Sequence, residues 1–235
     1  PQSGSQMIWI LLIAALLAGI ILPGFWVRRV LAKYSEPADR YRSQGSGAEL
    51  ARHLLDSFEL TDVKVEASEL GDHYDPGQRA VRLTEANYDG HSLTAITVAA
   101  HEVGHAIQHA RGEVLFNARQ RLVAAAVKGE RVGRVLLIAA PVVMLLARVP
   151  QASAAMLGLA VASMALSTLV HLATLPVELD ASYGKALPML QQGNYLHDGD
   201  LPHARRILKA AALTYVAGSL ASLLNLGRWI AVLRR

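Results

Sequence analysis

Cysteine is absent from the 235-residue chain, so disulfides are excluded and no thiolate cluster can hold a metal. Any metal must be bound through histidine and carboxylate. Aromatic residues are only 6% and charged residues 18%, less charge than a soluble protein of this size usually carries. The net charge of +4 is small and spread out, and few aromatics alternate with the basic residues, which argues against a nucleic-acid partner. What is plentiful is apolar: 52% of residues are hydrophobic and the mean hydropathy is +0.28.

Much of that apolar content lies in long runs. Residues 1–6 read as an expression remnant ahead of Met7. Met7 to Val27 is uncharged and long enough to cross a bilayer core. A cleaved signal peptide would want basic residues before the run; here Arg28, Arg29 and Lys33 follow it, so a retained helix is expected. Residues 135–177 read as a transmembrane hairpin that turns near Pro150-Gln151. Its first arm, Val135 to Ala147, is short, about 21 Å of helical rise from Arg134 to Arg148, and needs those two arginines to snorkel. Residues 210–227 supply a fourth span. Gly158-x-x-x-Ala162 and Gly218-x-x-x-Ser222 are small-residue pairs suited to close helix packing. The polar regions, 28–134 and 178–209, then share one side and hold 19 of the 23 Lys and Arg residues, with a tail at 228–235. The basic residues after Val27 place that side in the cytoplasm and the N-terminus outside. The expected product is a multi-pass protein of the cell (plasma or inner) membrane, with the lipid bilayer as one partner.

Within 28–134, Ala48 to Phe58 shows a helical apolar face of Ala51, Leu54, Leu55 and Phe58. Val63 to Glu66 alternates as a strand does. Asp75-Pro76-Gly77 predicts a type II turn whose flanking residues form a hairpin, with Val81 to Leu83 as its second strand. Ser92 is a good N-cap for a helix ending at Arg111-Gly112, in which Leu93, Ile96, Ala100, Val103 and Ile107 should face a core.

That helix carries His101-Glu102-Val103-Gly104-His105, an H-E-x-x-H pentad. Residues four apart share a helix face, so both imidazoles can reach one metal ion, with Glu102 beside them as a base. A catalytic zinc wants a third protein ligand and an open position for water, whose pKa it lowers to about 7. His109 extends the row but lies two turns, about 12 Å, from His101. Gln108 and Arg111 stand where a metzincin needs Gly and His, which excludes that class. An intramembrane site-2-type protease is also excluded, because the motif helix ends in His91, His109, Arg111 and Glu113. Glu178 is the better third ligand: two antiparallel spans return the chain to the side it left, and Glu178 emerges there. Its bland alternative is an acid solvating a helix end. Asp180 would point elsewhere on a helix and suits the orientation of a ligand imidazole. Tyr183, His197 and His203 are unranked candidates to stabilise an oxyanion.

Gly71–Pro76, Val81–Leu83, Ala99–Gln108 and Leu175–Ser182 together resemble the YugP-type membrane zinc metallopeptidases, over nearly the whole chain from Met7. The resemblance implies a mainly α membrane protein with a zincin-like α+β metalloprotease domain. It implies a gluzincin-like site with one zinc on His101, His105 and Glu178 and with Glu102 as general base. The plan is also similar to that of HtpX-type proteases, but Ser182 stands where those carry an Asp, so that residue's role does not transfer. The expected activity is endopeptidase cleavage of protein or peptide substrates, membrane proteins among them, near the cytoplasmic face. The competing expectation is a zinc-stabilised membrane scaffold or assembly partner with little or no turnover.

Overall fold

The computed structural model describes residues 2–147 and 150–233, with the side chains of 6–146, 151–163 and 165–221. The chain is mostly helical with one small sheet, and it divides into two units. One comprises Trp26–Arg119 and Thr174–Leu213; the other comprises Pro1–Phe25, Gln120–Ala173 and Thr214–Arg235.

Helix α1 covers Gln2–Tyr34. After a short 3-10 turn at Arg42–Gln44, α2 covers Gly47–Ser57. Its start is set by a capping box: Ser46 accepts from the Glu49 amide and the Glu49 side chain from the Ser46 amide. Leu50, Ala51, Leu54 and Leu55 are buried, whereas Phe58, expected on that face, is exposed just past the helix end. The sheet consists of β1 (Lys64–Ala67), β2 (His73–Asp75) and β3 (Ala80–Leu83). The β2–β3 hairpin matches the sequence expectation, with Tyr74 opposite Val81. The type II turn does not. Asp75 Oδ1 accepts from the amides of Gly77 and Gln78, at 2.9 and 3.1 Å, and the left-handed residue is Arg79 (φ 49°). The carboxylate, rather than Gly77, bends the chain. β1 pairs in parallel with β3, so β3 is central and β2 is an edge.

A short α3 (Glu85–Tyr88) leads to α4 (Leu93–Ala110), where Ser92 Oγ accepts from the Ala95 amide and Gly112 follows with φ 63°. All five predicted core residues of α4 are buried, but so is the rest of the helix up to Gln108. It is the central element of its unit, packed against α2, the sheet and the segment after residue 174.

Helix α5 runs unbroken over Val114–Ala147 and α6 over Pro150–Ala173. The apolar stretch read from Val135 is therefore the second half of a longer helix, since Val114 to Arg134 contains neither proline nor an adequate stop signal. In the apolar unit these helices form an antiparallel pair: Ser153 Oγ donates to the Ala140 carbonyl at 3.0 Å, and Leu137 packs with Ala160. The turning residues Arg148 and Val149 lie outside the described residues. A Cβ on Gly133 would collide with Ser163 Oγ, so Gly133 is the close-packed glycine, while Gly158 and Gly218 face open space. The chain continues as α7 (Leu175–Leu179), a π-helical stretch (Asp180–Ala186), α8 (Leu187–Gln192) and α9 (Leu201–Leu233). Gln6–Tyr34 and Gln151–Gln192 are the two helical stretches long and apolar enough to cross a membrane among the described residues.

Candidate metal centre

Consecutive turns of α4 bring His101 and His105 together, with ring centroids 4.8 Å apart and planes at 81°. Glu178, from α7, completes the group. Its Oε2 lies 3.0 Å from His105 Nε2 and 3.5 Å from His101 Nε2, and the three side chains are buried. One ligand atom from each residue lies within 4.8 Å of the others. Gly104 permits this approach. A Cβ there would sit 2.6 Å from the Ala181 carbonyl oxygen, so only glycine lets the π-helical backbone lie against α4.

The protons on the imidazoles follow from their partners. Ser182 has one hydroxyl hydrogen, which it donates to the Leu208 carbonyl at 2.8 Å; toward His101 Nδ1, at 2.9 Å, it can only accept. The Gln108 amide nitrogen donates to the Val177 carbonyl (3.0 Å) and to Asp180 (2.8 Å), so its oxygen accepts from His105 Nδ1 at 2.9 Å. Lys185 holds Asp180 from the far side at 2.7 Å and also reaches Glu113 at 3.0 Å. Both rings therefore carry their proton on Nδ1 and turn an Nε2 lone pair toward Glu178.

Arg119, from the first turns of α5, donates to Glu178 Oε1 and leaves Oε2 for the shared space. Burial pushes the Glu178 carboxyl up, but without a metal a further proton on the His105 and His101 rings, donated from Nε2, and the Arg119 guanidinium outweigh it and hold the group well below the usual carboxylate range. Glu102 is buried on the same turn as His101. Burial raises its carboxyl to about 7, with His101 acting against the rise and Glu178 adding to it.

The other sequence candidates lie apart from this cluster. His109 pairs with the Tyr74 hydroxyl at 2.8 Å and stacks on Phe116. The Tyr183 hydroxyl donates to the Arg205 carbonyl, His197 stacks on Tyr41, and His203 stacks on Tyr34. Asp180 acts one step further out than expected, through Gln108. The residues that sequence reasoning missed are Arg119, Gln108 and Ser182.

The family model described as "Putative neutral zinc metallopeptidase" matches residues 7–234. The chain belongs to this neutral zinc metallopeptidase family. No curated protein and no solved structure matches it.

Membership of a zinc metallopeptidase family implies zinc, and the residues present fit that ion. Two imidazole nitrogens and a carboxylate oxygen are ligands zinc accepts readily. With Nδ1 as the donor in each ring, three acceptor atoms face one another in a buried space. That arrangement is favourable only with a proton or a cation among them. Tetrahedral zinc with bonds near 2.05 Å sets its ligands about 3.3 Å apart. The 3.0 and 3.5 Å separations bracket that value.

Proposed function

We propose that the chain is a membrane-held zinc endopeptidase, hydrolysing peptide bonds of protein substrates beside the cytoplasmic membrane face. The convergence of three buried acceptors from His101, His105 and Glu178, with a carboxylate adjacent, carries this reading. One zinc ion per chain would be held by these three residues, supplying a Lewis acid that polarises a peptide carbonyl and makes water acidic. Glu102 takes the proton of the attacking water and delivers it to the leaving amine; a carboxyl raised toward neutrality suits both transfers. Ser182 and Gln108 hold the imidazoles in register, and Arg119 holds Glu178 to one free oxygen.

Membrane insertion is supported by α1. The side chains of its apolar window are not buried at all, unlike those of a core helix in a soluble protein. Helix α1, the α5–α6 pair and the apolar part of α9 make the four spans. The polar unit then faces the cytoplasm and the N-terminus lies outside, following Arg28, Arg29 and Lys33.

The test is Glu102→Gln in the purified full chain. Zinc content by elemental analysis should stay near one per chain while turnover of an unfolded protein falls at least ~10²-fold. Undiminished proteolysis would remove Glu102 from the mechanism. A wild-type protein that holds zinc but cleaves neither unfolded proteins nor peptides would be a zinc-stabilised scaffold instead.

A further inference from the structure

The end of α1 and the start of α9 lie side by side and run in opposite directions. Lys209 Nζ sits 5.9 Å from the Trp26 ring, and eight residues further along α1 Tyr34 stacks on His203 at 5.0 Å. The uncharged run of α1 ends at Val27 and that of α9 begins at Ala210, and within the polar unit the Trp26–Lys209 contact sets these two ends beside each other. Segments 26–40 and 200–209 carry seven Lys or Arg against three Asp or Glu. That is a local excess of four positive charges on two adjoining helix ends. Arg28, Arg29, Lys33, Arg205, Arg206 and Lys209 are exposed, and none forms an ion pair among the described residues.

Beneath this collar lies a cavity of about 230 Å³ lined by Lys33, Tyr34, Glu36, Arg40, Asp200 and His203, among others. Asp200 is neutralised within the fold: Arg40 grips both its oxygens at 2.7 and 2.8 Å, and the Tyr41 hydroxyl donates at 2.6 Å. The Tyr34 hydroxyl has no hydrogen-bond partner, though the residue is only 7% exposed. A hydroxyl donor without a partner, a lysine ammonium that rests over the Tyr34 ring with no carboxylate paired to it, and an imidazole whose Nδ1 lies 3.6 Å from Asp200 suit an anionic oxygen group. Lys33 is six residues beyond Val27, about 9 Å of helical rise. That depth is just past the headgroup layer, roughly 5–7 Å thick on each side, and within a lysine's reach of it.

We propose that this cavity and its collar bind the phosphate of an anionic phospholipid headgroup. The proposal rests on the membrane reading above. The lipid is thereby a ligand of a defined site, which fixes the ends of α1 and α9 against each other, as well as a solvent for the helices.

The experiment is native mass spectrometry of the full chain in detergent with phosphatidylglycerol or phosphatidylcholine added. Phosphatidylglycerol should be retained preferentially. Lys33→Gln should weaken that retention about fivefold, the effect of one basic residue at an anionic surface. Tyr34→Phe should also weaken it, with charge unchanged, and Lys64→Gln, the same charge change on β1, should not. Equal retention of both lipids, or equal losses in Lys33→Gln and Lys64→Gln, would overturn the site. A loss in Lys33→Gln but none in Tyr34→Phe would remove the cavity from it. Full competition by inorganic phosphate would make the ligand a free anion instead of a lipid. Flotation of the chain with phosphatidylcholine vesicles separates the two readings: no flotation fails the membrane reading, whereas flotation without preference for phosphatidylglycerol fails only this inference.

Discussion

Gly104→Ala tests the packing that builds the metal centre. In an ordinary helix the change stabilises by about 1 kcal/mol, because glycine is the poorer helix former. Here the added Cβ would lie 2.6 Å from the Ala181 carbonyl oxygen, where ordinary contact begins near 3.4 Å, so α4 and the π-helical stretch must separate by about 0.8 Å. The obstructing atom is backbone and cannot swing aside as a side chain would. Overpacking of this kind costs about 1–3 kcal/mol, so the clash outweighs the propensity gain and the variant should be destabilised by up to about 2 kcal/mol. Zinc reports it more sharply. Metal sites tolerate about 0.2 Å in ligand distance, and Ser182 moves with Ala181, loosening the hold on His101. Affinity should fall at least tenfold, measured by competition with a chromophoric chelator, alongside thermal melts of the metal-free protein. Wild-type zinc affinity at equal or higher stability would show that the close approach of Gly104 to Ala181 does not exist.

Three further outcomes are expected. Ser182→Ala leaves the Leu208 carbonyl and the His101 Nδ1–H without partners in a buried site, so zinc affinity should drop about 10–100-fold; an unchanged dissociation constant counts against the proton assignment. In the metal-free protein Glu102 titrates near 7 when folded and near 4.5 when unfolded, so the folded state binds more protons between those values. Stability should therefore fall as pH rises through that window, by on the order of 3 kcal/mol at most, and Glu102→Gln should flatten this in thermal melts at pH 5 and 8. A cysteine placed at Gln78 should resist impermeant thiol labelling from outside intact cells, a clean measurement because the chain has no cysteine of its own; labelling from outside would invert the orientation.

The histidine pair was legible because every signal around it is local. Ser92 caps α4, Gly112 ends it, and the four-residue spacing sets both rings on one face. Glu178 was reachable by topology, since a hairpin returns the chain to the side it left. Arg119 was not. It is flanked by Gln120 and Arg121 with nothing to mark it out, and its burial is decided by where α5 begins, which depends on tertiary contacts. Gln108 read only as a departure from another class of metalloprotease, although an amide that donates twice and accepts once is what this site requires. Ser182 was set aside because its counterpart elsewhere is an acid, yet the hydroxyl reaches His101. Strand periodicity finds β1 and β3 but not their parallel pairing, which is a long-range choice. The π-helical stretch has no signature of its own over seven residues.

The partners of the two histidines are both neutral, a hydroxyl and a carboxamide, and the ligand carboxylate is matched by a guanidinium. On the proposed assignment, the three ligands together with Arg119 carry no net charge. A dication entering this set keeps nearly all of its field, with only the Glu102 carboxyl nearby to soften it. Such a site trades tenacity of binding for pull on whatever oxygen approaches. Neither hydroxyl nor carboxamide titrates in the physiological range, so the aim of both rings is indifferent to pH and the acid–base response of the centre falls to Glu102.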